Sequence, residues 1–306
     1  MTSTPVTPAS TSVGAQPERE FTVKARTQRQ MVTRRFFAHK LAVGSLVVFV
    51  LMLLAAFIVP FFWKYQYNSI TNTLSAAPSW AHPFGTDSLG HDVFAEVLRG
   101  TQTSIKVSAL AMIVGETTGV LIGAFSGYYR GKLDATLMRA VDVLLTLPLF
   151  VFIAVLQKIT GGSWWIIALI IGGLGAGLTA RLVRSVFLSL REREYVEAAR
   201  ALGATDKRII MRHLLPNALG PIIVDATLTF ALAIITEASL SFLGFGITPP
   251  DVSLGTLIQD GVAASQTRPW LFYFPGFVII LLVLTVNFIG DGLRDALDPT
   301  QQRVRA

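Results

Sequence analysis

Three stretches, Leu41 to Trp63, Ile159 to Ala180 and Pro269 to Gly290, run without one charged side chain. A helix of about 20 apolar residues crosses ~30 Å of hydrocarbon, so each is predicted to span a membrane. Within lipid the backbone must satisfy its own hydrogen bonds, which leaves helices or a closed barrel, and runs of this length are helical. Three more spans are predicted despite polar interruptions, near Val107 to Tyr129, Leu137 to Gln157 and Leu219 to Leu243. The expected fold class is therefore an all-α membrane protein of six transmembrane helices. Composition agrees, since 52% of residues are hydrophobic and only 15% are charged, outside the range of ordinary soluble domains.

Charge sets the expected orientation. Of 26 Lys and Arg, 21 lie in the segments 1–40, 128–139, 181–217 and 294–306, which alternate crossings place on one side. The other five are Lys64, Arg99, Lys106, Lys158 and Arg268. The positive-inside rule then predicts both termini in the cytoplasm. Trp63, Trp80, Trp164, Trp165 and Trp270 fall at or beyond the opposite span ends, where an interfacial aromatic belt belongs. The net charge of +7 is thus a consequence of topology, and nucleic acid is not an expected partner. No cysteine is present, which removes disulfides and thiolate metal sites. The first apolar run follows 40 polar residues and exceeds a signal-peptide core, so no secretory signal is read.

The chain divides accordingly. Residues 1–20, rich in Ser, Thr, Pro and Ala, are expected to form a disordered tail, and 21–40 a basic segment against an anionic leaflet. The first span (41–63) leads to an outer loop (64–103) with a short helix that presents Val93, Phe94, Val97 and Leu98 on one face. A five-helix core (104–293) follows, with a polar loop at 185–217, and 294–306 forms a cytoplasmic tail. Ser253 to Ala264 is expected to be a short helix in the last outer loop. His82, Asp87, His91 and Asp92 match no standard metal spacing, and Asp87 and Asp92 also suit helix caps, so no metal is expected. Gly115, Gly119, Gly123 and Gly127 recur every four residues, a ridge that lets another helix approach closely. Glu116, Asp225 and Glu237 lie at membrane depth, where a carboxylate costs roughly 2.5–3.5 kcal/mol, and should line a pathway or bond a neighbouring helix. Asp142 lies nearer the surface. Gly172 to Gly177 follows no strand and suits helix packing better than nucleotide binding. Gly127 to Leu133 lacks one spacer residue and the Ser or Thr of a Walker A loop, so no ATPase is expected in this chain.

The polar loop holds the most specific pattern. Tyr195, Ala198, Ala199 and Leu202 form one apolar stripe, Gly203 can stop a helix in the left-handed conformation, and Thr205 can cap a second one. Pro216 marks where that second helix should yield. Glu197-Ala198-Ala199, three residues, Gly203, nine residues, His213, one residue, then Leu215-Pro216 resembles the EAA signature of permease subunits of ATP-binding-cassette importers, with His213 where the signature has Ile. Gly85-Thr86-Asp87-x-x-Gly90-x-Asp92 and the ending Asn287 to Pro299 are similar to the dipeptide and oligopeptide branch. The resemblance implies a type I importer permease fold. It also implies that Glu197, Ala198, Ala199, Gly203, His213, Leu215 and Pro216 dock on an ATPase. The implied partners are a second homologous permease, two ATPases that hold ATP and Mg, an extracytoplasmic binding protein that delivers peptide, and the bilayer of a bacterial or archaeal cytoplasmic membrane. This chain itself would carry no cofactor and no enzymatic activity.

Two other classes compete. An ion-coupled secondary transporter would use the intramembrane carboxylates, but no internal repeat is visible and a docking loop would have no use there. An intramembrane serine protease needs a histidine at membrane depth, and His39, His82, His91 and His213 all fall outside or at the margins of the spans.

Overall fold

The computed structural model describes residues 28–298. The tail 1–20, residues 21–27 of the basic segment and 299–306 lie outside the described residues. Among the described residues the chain is all helical apart from its connections and two isolated bridges, Ile70 with His91 and Thr86 with Asp92. The expected all-α architecture is the one adopted.

Helix α1 (Gln28–Ala38) meets α2 (Lys40–Phe62) at His39, whose Nδ1 accepts the Ala42 N–H at 3.1 Å and caps α2. Phe36 packs with Ala42 and Ala296, so this part of the basic segment is anchored to protein. Beyond Trp63 the chain folds over one end of the bundle. There the buried Asp92 accepts hydrogen bonds from Trp63 Nε1 (2.8 Å), His82 Nδ1 (2.8 Å) and the Ala95 N–H (3.1 Å). Asp92 thereby caps α3 (Val93–Tyr129) and ties the loop to the first span.

The short outer helix predicted before the second span is not separate. Val93, Phe94, Val97 and Leu98 open α3 itself, whose 37 residues extend ~55 Å and so project well past the hydrocarbon. The predicted third span is also different. It is broken into α4 (Gly131–Thr146) and α5 (Leu149–Thr160), bent by 85° at Leu147-Pro148, because Pro148 donates no backbone bond and pushes Leu147 out of helical conformation. Among the described residues, five helices are therefore long and apolar enough to cross, with a sixth crossing if the bent pair is counted as one.

Helix α6 (Trp164–Arg191) starts five residues later than predicted and runs eleven further. It leads to α7 (Glu194–Ala201) and α8 (Asp206–Ile209), then through a π-helical turn (Ile210–Leu214) into α9 (Leu215–Phe242). The second loop helix was expected to yield near Pro216, yet the path from Asp206 to Phe242 is continuous. The π turn is the physical reason. Its wider hydrogen bonding, with the Leu215 N–H reaching Ile210 O, makes room for a proline ring that would strike the carbonyl four residues back. Helix α10 (Leu254–Val262) has a capping box between Ser253 and Thr256, and α11 (Trp270–Leu297) runs beyond the predicted span end at 290 and past the predicted tail boundary.

Helices α3 and α6 form the centre of the bundle. A Cβ on Gly119 would lie 2.6 Å from Thr179 Cβ, one on Gly123 2.8 Å from Val183 Cβ, one on Gly127 2.7 Å from Phe187 Cβ, and one on Gly115 3.1 Å from Gly172 O. All four ridge glycines face α6, and no larger residue fits there without displacement. Helix α9 packs across both, α11 lies against α9 and α2, and α10 wedges between α9 and α11 at the end that carries the tryptophans.

Candidate coupling segment and intramembrane polar residues

At the end opposite the tryptophans, salt bridges fix the frame from which α7 projects. Arg184 forms a two-pronged bond with Asp134 (2.6 and 2.7 Å), Arg181 meets Asp142 at 2.5 Å, and Arg130 meets Glu192 at 2.6 Å. Arg130 holds the exposed Glu192 carboxyl below its ordinary range. Arg191 donates to the Tyr128 carbonyl and lies over the Tyr128 ring. Tyr128 in turn donates its hydroxyl to Asp206 at 2.5 Å, which joins α3 to the start of α8.

Only Val196 of α7 is buried, in a cluster with Ala124, Tyr128, Val183, Phe187, Ile209, Leu214 and Ala218. The stripe of Tyr195, Ala198 and Leu202 faces outward instead, with Leu202 88% exposed, and Glu197 is exposed beside it. Ala199 is half-buried. Gly203 has φ +79°, and the Gly203 N–H reaches Arg200 O while the Ala204 N–H reaches Ala199 O, the paired bonds that end a helix on a left-handed residue. Thr205 accepts from the Arg208 N–H and caps α8. Leu214 is buried, His213 and Leu215 are half-buried, and Pro216 is exposed. Asn217 Nδ2 donates to the His213 carbonyl at 2.6 Å, one turn back. The segment is thus a firmly seated hinge that presents an unpartnered apolar stripe with a carboxylate at its edge.

The three intramembrane carboxyl groups occupy two different places. Glu116 (α3) and Asp225 (α9) are brought together by Thr179 (α6), which lies 3.4 Å from Glu116 Oε1 and donates to Asp225 Oδ2 at 2.7 Å. Asp225 also lines a cavity of about 470 Å³ with Leu182, Pro221, Val224 and Arg294. Glu237 is fully buried elsewhere. It accepts from Ser104 (2.8 Å) and Ser241 (2.7 Å), and Ser104 also accepts the Leu254 N–H, so this carboxyl joins α3, α9 and α10 and borders none of the described cavities. Thr179 and Ser104 carry no signal in the sequence, since a hydroxyl in an apolar helix acquires a role only when another helix faces it.

On the tryptophan side, Asp87 accepts from the Leu89 and His91 N–H groups and from His91 Nδ1 at 2.9 Å, which sets the turn before α3. Asp87, His91 and Glu96 have ligand-type atoms within 4.8 Å of one another, whereas His82 and Asp92 bond each other apart from that group. Partial loss of water, and then the charge of Asp87, push the Asp260 carboxyl above its ordinary range across the same cleft.

Comparison with known proteins identifies the frame around these residues. The family described as "Binding-protein-dependent transport system inner membrane component" matches residues 119–303, and "N-terminal TM domain of oligopeptide transport permease C" matches residues 27–78. The oligopeptide transport system permease protein OppC of Mycobacterium tuberculosis is 42% identical over 282 residues, which cover 91% of this chain and 97% of that protein. OppC of Haemophilus influenzae is 38% identical over 283 residues, covering 92% and 91%. Among solved structures, the inward-facing MetNI methionine ABC transporter shares the fold with a TM-score of 0.54 at 23% identity, covering 66% of this chain and 96% of that one. The chain therefore belongs to the family of inner-membrane permease components of binding-protein-dependent transport systems.

Proposed function

We propose that this chain forms half of the translocation pathway of an ATP-driven peptide importer and is driven through residues 194–217 by partner ATPases. The observation that carries the reading is the seat of α7, whose one buried side chain is Val196, with Tyr195, Ala198 and Leu202 exposed beside Glu197. Small side chains at 198 and 199 admit close approach, and Glu197 offers a charge-assisted bond to a basic residue on the ATPase. The relatives' names supply the peptide, and the separate binding protein selects it.

The motion follows from the covalent path. Closure of an ATPase pair around ATP displaces α7 and α8, and the helix from Asp206 to Phe242 carries that displacement to membrane depth at Asp225. A second, homologous permease supplies the other wall, and hydrolysis resets the pair. The end rich in Arg faces the cytoplasm, by the positive-inside rule, and the tryptophan end meets the binding protein. ATP and Mg bind the partners.

Reconstitution tests this. In liposomes, the chain with a second permease, ATPases and binding protein is expected to accumulate labelled peptide only with ATP. The chain alone under a proton or sodium gradient is expected to move none, and gradient-driven uptake by the isolated chain would overturn the proposal in favour of an ion-coupled carrier.

A further inference from the structure

The geometry points to a proton-binding site at membrane depth, in which Glu116 and Asp225 hold one proton between them across Thr179 and so latch α9 to α3 and α6. Hydrogen counting carries it. Thr179 has one hydroxyl hydrogen, and the 2.7 Å approach to Asp225 Oδ2 uses it. Its oxygen then meets Glu116 Oε1 at 3.4 Å with no hydrogen between them unless Glu116 supplies one. Glu116 is only 9% exposed, and its Oε2 is buried with no hydrogen-bond partner. Thr229, one turn beyond Asp225 on α9, and Asp225 itself face Glu116. Two acceptor-only carboxylates here would leave like charges together with the buried Glu116 unsolvated, whereas one carboxylic acid at Glu116 beside the carboxylate of Asp225, which lines the cavity, satisfies the set.

Among the described residues, no cation forms an ion pair with Glu116 or Asp225. On α6, the nearest guanidiniums are those of Arg181 and Arg184, which are taken by Asp142 and Asp134 of α4. From α11, Arg294 borders the same cavity as Asp225 and is itself exposed, and at that helix end Asp291 is exposed and Asp295 lies 3.7 Å from His39 Nε2. On α9 the only other carboxylate is Glu237, bonded to Ser104 and Ser241. The proton comes from water through the cavity at Asp225 and returns to it when α9 moves away from Thr179. That last step rests on the coupling proposed above, whereas the site itself does not.

Infrared spectroscopy of the purified full-length chain in lipid nanodiscs at neutral pH, with no ATPase present, tests the site. A protonated-carboxyl C=O stretching band that shifts in D2O is expected in the wild type. Glu116→Gln should remove that component. Thr179→Val, which keeps the volume and both carboxyls, should move it to higher frequency because the acid loses its neighbouring oxygen. Glu237→Gln and Glu96→Gln assign any components from other carboxyls held away from water. A wild-type spectrum without such a band, or a band unchanged in both Glu116→Gln and Thr179→Val, would overturn the site. Should Glu116→Gln fail to fold, the Thr179→Val shift decides alone, and none of these outcomes bears on ATP-driven uptake.

Discussion

Gly123 shows how one missing side chain sets the spacing of two helices. A Cβ there would sit 2.8 Å from Val183 Cβ and against the Ala180 carbonyl, neither of which is a flexible tip. Gly123→Val is therefore expected to destabilise the chain by about 1–3 kcal/mol, as overpacking does. Gly173→Ala, on the same pair of helices but with open space beyond it, is expected to stay within about 0.5 kcal/mol of wild type. Thermal unfolding in detergent checks both. The ridge was legible because four-residue spacing places glycines on one face whatever lies opposite. The Glu116, Thr179 and Asp225 group was only half legible, because the cost of a buried carboxyl identifies the acids but not which helix turns a hydroxyl toward them. At Asp260 the pKa is raised in the folded state, so stability is fully present below the unfolded carboxylate pKa and falls as pH rises through the folded one. Asp260→Asn should flatten that part of the melting temperature against pH curve; an unchanged slope would contradict the assignment.

Among the elements, two prolines had opposite outcomes. Pro148 ends α4 and turns the chain by 85°, whereas Pro216 is absorbed by a π turn so that α8 and α9 stay continuous. Residue type alone cannot separate these cases. The difference lies in Ile209 and Leu214, both fully buried against α3 and α6, whose packing holds the helix together across the proline. Gly203 was legible, because a left-handed helix end favours a residue without Cβ. Gly203→Pro cannot adopt φ +79° and loses the N–H bonded to Arg200 O, so membrane insertion should persist while ATP-driven uptake is lost. Gly203→Asn, which tolerates that conformation, should retain uptake. Membrane fractionation with an uptake assay separates the two variants.

For the whole molecule, apolar run length and the distribution of Arg and Trp made the multi-pass class readable, since both follow from the bilayer. Which helices pair did not follow, because lipid tails are as apolar as the helices and partner choice rests on shape. The orientation is testable because the natural chain has no cysteine. A membrane-impermeant maleimide should label Ser88→Cys on intact cells and Ala198→Cys only after permeabilisation, both positions being exposed at opposite ends. The central claim, that ATPases drive this permease through the α7 hinge, is tested most directly by ATP-dependent peptide uptake into proteoliposomes that contain the full complex with Glu197→Lys. Uptake at background despite normal insertion is the predicted result, and undiminished uptake would contradict the account.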